Sequence, residues 1–340
     1  MVYGVYMNLN KHGCHIAVVI PAFRVRRQIL GVCQDIPALV SKIYVVDDAC
    51  PEGSGDLVEA ALVDPRVCVL RHSSNQGVGG AVMTGYLAAM RDGADIIVKI
   101  DGDGQMDTQL IADFIEPIVT GEADYTKGNR FYNLDTIKAM PRVRILGNAI
   151  LSLLTKLSAG YWNLFDPTNG YTAIHSDVCR RLPLHKVSKR YFFETDMLFR
   201  LNTVRAVVID IPMDAKYGEE TSNLKISKII GEFFIKHLRN LAKRVAYNYF
   251  LRDLSLASLE LLVGLLMLTF GLFYGGYHWA HSASLGIPTA AGTVMVAAMP
   301  VLVGIQLILS FIGYDIASVP KRPLHRRRRI NQSRDSIAPN

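Results

Sequence analysis

Between residues 253 and 316 the 340-residue chain has no lysine and no arginine, although it carries 37 of them elsewhere and a formal net charge of +7. Where the charge sits matters more than its total. Residues 1–223 carry 23 basic and 25 acidic side chains, and residues 224–252 carry seven basic against one acidic. Residues 253–316 carry three acids alone, and residues 317–340 seven bases against one acid. Basicity therefore brackets one apolar region and is missing from the N-terminal body, as expected for contact with an anionic membrane surface and not for nucleic acid. Charge is scarce overall, at 20% against 50% apolar residues, and the mean hydropathy is +0.21. That balance excludes a disordered chain and argues against a wholly soluble one.

Cysteine is sparse too. Cys14, Cys33, Cys50, Cys68 and Cys179 form no Cys-x-x-Cys pair and no Cys/His zinc pattern, so they are expected to be reduced structural thiols in a cytosolic setting. A secretory leader is not expected, because the first apolar stretch, residues 16–20, is five residues long and stops at Pro21. No Gly-Lys-Ser/Thr follows the glycine turn at residues 75–80, which rules out a P-loop.

Two long apolar runs are present. Residues 254–277 hold one charge, Glu260, and residues 292–312 hold none; each is long enough to cross ~30 Å of hydrocarbon at ~1.5 Å per residue. The segment between them lacks Lys and Arg while both outer flanks are rich in them. The expectation is an inner-membrane hairpin over 253–316 with its loop outside, and the N-terminal body and both termini in the cytoplasm. Ahead of it, within 224–252, Ile226, Ile229, Ile230, Phe233, Phe234, Leu238, Leu241, Val245 and Tyr249 recur at steps of three and four, with bases interleaved. This predicts a helix lying in the interface, or else one packed on the body's core. The basic tail, 317–340, is expected only to fix topology and touch headgroups. Glu260 and Asp315 are expected to pair with juxtamembrane bases such as Arg252.

In the body, short β-branched runs at 16–20, 43–46, 67–70, 96–100 and 206–211 alternate with helix-length spacers. This predicts an α/β fold, a mostly parallel sheet covered on both faces, with ligands at the carboxyl ends of the strands.

After the fourth run come Asp101, Gly102, Asp103, Gly104 and Gln105. Two carboxylates two apart on a glycine-loosened turn can reach one hard cation, with the Gln105 carbonyl joining them. Magnesium held this way takes its remaining ligands from water and substrate phosphate. An EF-hand is excluded, since Met106 and Ala112 stand where a calcium loop needs Gly and Glu; a solvated Asp-Gly turn is the other reading. Pro21, Ala22 and Phe23 end the first run and Asp47 and Asp48 the second. An acid there can accept from a ribose hydroxyl or a base N–H, or simply cap the next helix. Gly77, in the 75–80 turn, can bring a backbone N–H to an anion or serve close packing. Arg130, after a short strand-like 123–126, can hold phosphate by a bidentate fork. Glu194 and Asp196 open a helix, where either can act as a general base or both can complement the helix dipole.

In this order the stretches VVIPAF, VVDDACPEGS, NQGVGGAVMTGY, KIDGDGQMD, KGNRF, DPTNGYTA and YGEETSNLKISK, over most of residues 16–228, resemble family 2 glycosyltransferases of the GT-A fold. More narrowly they resemble the polyprenyl-phosphate glycosyltransferases, relatives of dolichol-phosphate mannose synthase with two C-terminal transmembrane helices. The resemblance implies that Pro21, Ala22, Phe23, Asp47, Asp48 and Gly77 lie on the donor side with Asp101 and Gln105. It implies that Asp101, Asp103 and Gln105 bind Mg2+ or Mn2+, that Arg130 meets phosphate, and that a loop with Ser222 and Lys225 closes near the acceptor. The family's Tyr-Asn-Glu after the first proline is replaced by Ala22, Phe23 and Arg24. The arginine before its closing loop is missing, which passes phosphate binding to Lys225 or Arg142. The implied activity is inverting transfer of a sugar from a nucleotide diphosphate sugar, with UDP-glucose as the guess, to polyprenyl (undecaprenyl) phosphate at the cytoplasmic face. Asp103, Asp196, Glu194 and Arg130 are the expected catalytic set, and the hairpins offer a surface for a homo-oligomer. The alternatives are a processive polysaccharide synthase, against which stand only two spans and no Gln-x-x-Arg-Trp, and a non-catalytic nucleotide-sugar binding protein.

Overall fold

A computed structural model describes residues 13–132, 142–214 and 226–326. The chain divides into two compact units, one of residues 1–241 with 320–340 and one of residues 242–319.

The first unit is built on seven strands: β1 (Ile16–Ala22), β2 (Lys42–Asp47), β3 (Val67–Arg71), β4 (Ile96–Lys99), β5 (Tyr125–Asn129), β6 (Thr172–His175) and β7 (Val208–Pro212). Their order is β3-β2-β1-β4-β6-β5-β7. All pairings are parallel except those of β6, which runs antiparallel to β4 and β5. The α/β class and the mostly parallel sheet are as expected. Two details differ. Lys127, Gly128 and Asn129 lie within β5 and do not follow it, and β6 emerges from the DPTNGYTA stretch, which had suggested no strand.

Helices cover the sheet because its central strands are apolar on both faces. On one side α1 (Ile29–Gln34) and α4 (Ile111–Val119) bury Ile29, Val32, Ile111, Phe114 and Ile115 against β1 and β4, with Phe114 stacked on Tyr171 at 3.9 Å between ring centroids. On the other lies α3 (Val78–Arg91), where Gly85 sits so close to Val19 that any Cβ there would clash. The remaining helices of this unit are α2 (Ser54–Ala61), α5 (Arg142–Ala159), α6 (Ser176–Cys179), α7 (Phe193–Thr203) and the first part of α8 (Ile226–Ala246).

The strand register sets where the chemistry gathers. Ala22 pairs with Asp47 and Val19 with Lys99, so residues 21–23, 47–48 and 101–105 leave the sheet along one edge. Lys99 and Lys127 both face Thr172, one from each side. Because β6 is antiparallel, the chain just before it, residues 166–170, arrives at that same edge.

The α8 segment packs one face of its amphipathic pattern on the body and leaves the other exposed. Phe233 packs edge-on against Phe192, His237 bonds Ser158 Oγ at 2.8 Å, and Asn240 donates to Asp196 at 3.2 Å. Phe234, Ile235 and Leu238 on the other face are more than half exposed. The described start of the tail departs from expectation, and residues 327–340, with most of the arginine run, lie outside the described residues. His325, at the start of the basic run assigned to headgroups, is buried, and the N–H groups of Leu324 and His325 donate to Asp124.

The second unit is a helical hairpin, α9 (Leu256–Leu285) and α10 (Ala291–Ala317), of 30 and 27 residues. With mean hydropathies of 2.1 and 2.3 over their most apolar windows, both are long and apolar enough to cross a membrane. Small residues bring them together: a Cβ on Gly271 would lie 2.6 Å from Val301, and one on Gly304 2.7 Å from the Leu268 nitrogen. Asp315 meets a juxtamembrane base as expected, although that base is Arg244 and not Arg252, whereas Glu260 meets a serine. Asp315 takes a bidentate fork from Arg244 (2.6 and 2.9 Å) and a bond from the Tyr249 hydroxyl, while Glu260 accepts from Ser310 Oγ at 3.0 Å. Arg252 lies over the Tyr247 ring at 5.1 Å. A fork is the arrangement that best repays desolvating a carboxylate, and Arg244 is placed to form one.

Candidate active site

Lys99 ends a strand that is otherwise apolar, with its side chain only 1% exposed. Its ammonium lies 2.7 Å from Asp101 Oδ1 and 3.9 Å from Glu194 Oε1. Burial pulls its pKa down, but Asp101, Glu194 and Asp103 outweigh that and leave it raised. Lys127 is equally buried and donates to the Asn169 carbonyl. Here burial wins over the attraction of Asp166, Glu194 and Asp210, and the pKa falls to about 8. Burial likewise raises Glu194, against the opposing pull of the two lysines, and lifts Asp210 to about 6.

The turn after β4 is shaped by its glycines. A Cβ on Gly102 would lie 2.9 Å from Ile29 Cδ1, and Gly104 takes a φ of +76°. Asp103 Oδ1 accepts from the Gln105 N–H at 3.0 Å, and the Asp101 N–H points to Met106 Sδ at 3.2 Å. Gly170 closes this corner from below: a Cβ there would clash with Lys99 Nζ and lie 2.6 Å from Asp101 Oδ2. Among the described residues no group of three or more His, Cys, Asp or Glu side chains is arranged to hold a metal ion by itself. The turn thus supplies two carboxylates and an amide oxygen. That set of hard oxygen donors fits a magnesium or manganese ion that arrives with a phosphate-bearing substrate, and it does not form a closed cage.

Asp47 and Asp48 end β2 with different partners. Asp47 accepts from the Cys50 and Gly55 N–H groups, both at 2.7 Å, and so ties the turn into α2. Asp48 bonds His72 Nδ1 at 2.7 Å and accepts from the Gln76 and Gly77 N–H groups at 2.8 and 2.7 Å. Gly77 therefore donates inward, and a Cβ on it would lie 2.5 Å from the Lys189 carbonyl. Close packing and a φ of +86° both call for glycine at this position, and its N–H is engaged by Asp48 and not by a ligand anion. Pro21 and Ala22 close β1, and Phe23 beyond them is 40% exposed. The residues following these two strand ends, Arg24 and Ala49, hold left-handed φ values of 59° and 53°, a local cost of the kind that collects at functional edges.

Arg130 is engaged elsewhere than on a free anion. Its Nε and Nη2 fork onto the fully buried Asp166 at 2.8 and 3.0 Å, and Nη2 reaches Thr168 Oγ1 at 3.3 Å. Burial would raise Asp166, but the Arg130 bonds hold it below the ordinary carboxylate range. In this structure the phosphate fork expected of Arg130 is a strut binding β5 to the 166–170 segment. Arg142 is the first residue of α5 with its side chain outside the described part, and Ser222 and Lys225 lie outside the described residues.

Glu194 and Asp196 part company. Glu194 faces Lys99 and Asp101. Asp196 accepts from the Ser188 N–H at 2.9 Å, from Arg200 at 3.1 Å and from Asn240 at 3.2 Å, which ties α7 to a loop and to α8. Lys99, Lys127, Asp166, Asn169 and Gly170 were not expected at the site. The available signal was a lysine inside an uninterrupted apolar strand, IIVKI.

The family model described as glycosyl transferase family 2 matches residues 17–182. The undecaprenyl-phosphate mannosyltransferase of Micrococcus luteus is 31% identical over 201 residues, 58% of this chain and 82% of that protein. The UDP-N-acetylglucosamine–dolichyl-phosphate N-acetylglucosaminyltransferase of Methanococcus voltae is 27% identical over 230 residues, 64% of this chain and 91% of that protein. Among solved structures, glucosyl-3-phosphoglycerate synthase from Mycobacterium tuberculosis, in complex with Mn2+, UDP and glucosyl-3-phosphoglycerate, shares the fold with a TM-score of 0.55 at 18% identity. That likeness covers 72% of this chain and 84% of the other.

Proposed function

We propose the following activity for the chain, which belongs to glycosyl transferase family 2: transfer of a hexose from a nucleotide diphosphate sugar to a polyprenyl phosphate, with inversion, at the cytoplasmic face of a membrane. The observation that carries it is the gathering of residues 21–23, 47–48 and 101–105 at one sheet edge, in a chain that also carries an apolar hairpin.

On this reading the nucleotide lies across the ends of β1 and β2, with the exposed Phe23 ring and Pro21 against it. The Asp47 and Asp48 turns, already fixed by their backbone bonds, shape the floor. Asp101, Asp103 and Gln105 would hold a divalent cation, which when bound offsets the charge of the departing diphosphate. The acceptor's phosphate oxygen attacks the anomeric carbon from the side opposite the diphosphate, and a single displacement inverts that carbon. A phosphate monoester is largely ionised near neutral pH, so little base catalysis is required. Glu194 orients groups at the centre, and Asp196 keeps α7 in place. The hairpin sits in the bilayer with its loop outside. Phe234, Ile235 and Leu238 of α8 enter the headgroup boundary, where a lipid phosphate reaches the site while its tail stays in hydrocarbon.

The test is an assay of the purified, detergent-solubilised protein with magnesium or manganese, undecaprenyl phosphate and labelled nucleotide sugars, followed by lipid extraction. UDP-glucose, GDP-mannose and UDP-N-acetylglucosamine form the first panel, the latter two because the relatives are named for those sugars. Label in the organic phase supports the activity. Metal-dependent nucleotide binding with no label from any donor argues for another acceptor or for a binding protein.

A further inference from the structure

We propose that Lys99 is a positioning residue for the donor-side turn: its buried ammonium fixes the Asp101 carboxylate in the orientation that takes up a divalent cation with the nucleotide diphosphate, and Gly170 is glycine to leave that ammonium its room. The inference rests on the reading of the site just given.

Burying an ammonium is costly unless it is paired, and a methionine would fill a similar volume in β4 without that cost. The fold accepts that cost for Lys99 where Nζ meets Asp101 Oδ1 at 2.7 Å with Glu194 Oε1 at 3.9 Å. Position is enforced from three sides. Val19 of β1 and Thr172 of β6 pair with Lys99 across the sheet, so its backbone cannot slide. From below comes Gly170, whose missing Cβ is the space that Lys99 Nζ and Asp101 Oδ2 occupy together. The two oxygens of Asp101 are thereby seated, one on the ammonium and one over a glycine, before any substrate arrives. Two residues on, Asp103 is held by the Gln105 N–H. Lys99 and Gly170 thus set the Asp101 carboxylate in place from behind, the arrangement by which outer partners orient metal-binding carboxylates. Gly170 has no left-handed φ, so an alanine there tests the space alone and not the backbone.

The experiment measures Mn2+ binding in the presence of UDP, from the electron paramagnetic resonance of free Mn2+, on the full chain in detergent. The unmodified chain should bind. Lys99→Met should weaken Mn2+ affinity roughly 10- to 100-fold, the range for lost outer-shell partners, with little change in melting temperature. Gly170→Ala should weaken it in the same direction, and the two together by less than the product, because they act on one carboxylate. In turnover, the metal concentration for half-maximal rate should rise more than the metal-saturated rate falls. Folded Lys99→Met that binds Mn2+ within about twofold of the unmodified chain overturns the inference while leaving the proposed activity intact. Should Lys99→Met fail to fold, Gly170→Ala decides, and unchanged affinity in that variant overturns the inference. An unmodified chain that binds no Mn2+ with UDP, nor with GDP in its place, removes both the inference and the reading of the site beneath it.

Discussion

His325 Nδ1 lies 2.8 Å from Asp124 Oδ1 across 201 residues of chain, with both side chains buried. Asp124 also accepts from the Val207, Leu324 and His325 N–H groups, and the His325 ring stacks on His175 at 4.4 Å. Burial alone would raise Asp124, yet these bonds hold it below the ordinary carboxylate range. Removing the ring leaves a buried carboxylate short of a partner. His325→Ala should therefore cost about 1–3 kcal/mol, seen as a lowered melting temperature with donor binding unchanged.

The same corner sets an acid limit. Burial, then the neighbouring His325, lowers the His175 pKa from its ordinary 6.5 to about 4. A folded-state value below the unfolded one means that the unfolded chain takes up the proton first. Stability is then complete above pH 6.5 and falls as the pH drops from there toward 4. His175→Gln should flatten this part of the pH–stability curve, measured by melting at successive pH values; an unchanged slope would contradict the assignment.

Glu194 and Asp196 should separate by readout. Glu194→Gln is expected to lower turnover with the melting temperature nearly unchanged. Asp196→Asn weakens its links to Ser188, Arg200 and Asn240, and should cost about 1–3 kcal/mol of stability. Equal loss of turnover at full stability from both variants would contradict the division.

In the hairpin unit, Arg244 and Asp315 are each almost fully buried. Asp315→Asn alone should destabilise by about 3–5 kcal/mol, because it strands a buried guanidinium, whereas Arg244→Met with Asp315→Leu should recover most of that loss. Thermal unfolding in detergent followed by size-exclusion chromatography reads both.

Local pattern made some of this legible and distance hid the rest. Strands β1 to β4 are runs of branched apolar residues, so each declares itself, and the Asp101–Gln105 turn is recognisable because it follows such a run. β6 is four residues behind a Pro- and Gly-containing stretch, too short to carry a period. The partner of Arg130 lies 36 residues away and that of Asp315 71 residues away, so spacing alone offered a phosphate for one and Arg252 for the other. Glu194 and Asp196 look equivalent as a pair two apart, but on a helix such residues point to different faces. Lys99 carried a legible signal, a charge inside an apolar strand, whose meaning depends on Gly170, 71 positions later.

The central claim is catalysis at the Asp101–Gln105 turn on a lipid acceptor. The most direct measurement is label transferred from a nucleotide sugar into extracted undecaprenyl phosphate, compared across unmodified protein, protein with EDTA, and Asp103→Asn. The account predicts lipid-linked label that EDTA abolishes and that Asp103→Asn lowers by roughly 100-fold or more, the scale of losing a charge-stabilising group. Lipid-linked label that persists undiminished with both EDTA and Asp103→Asn would contradict it.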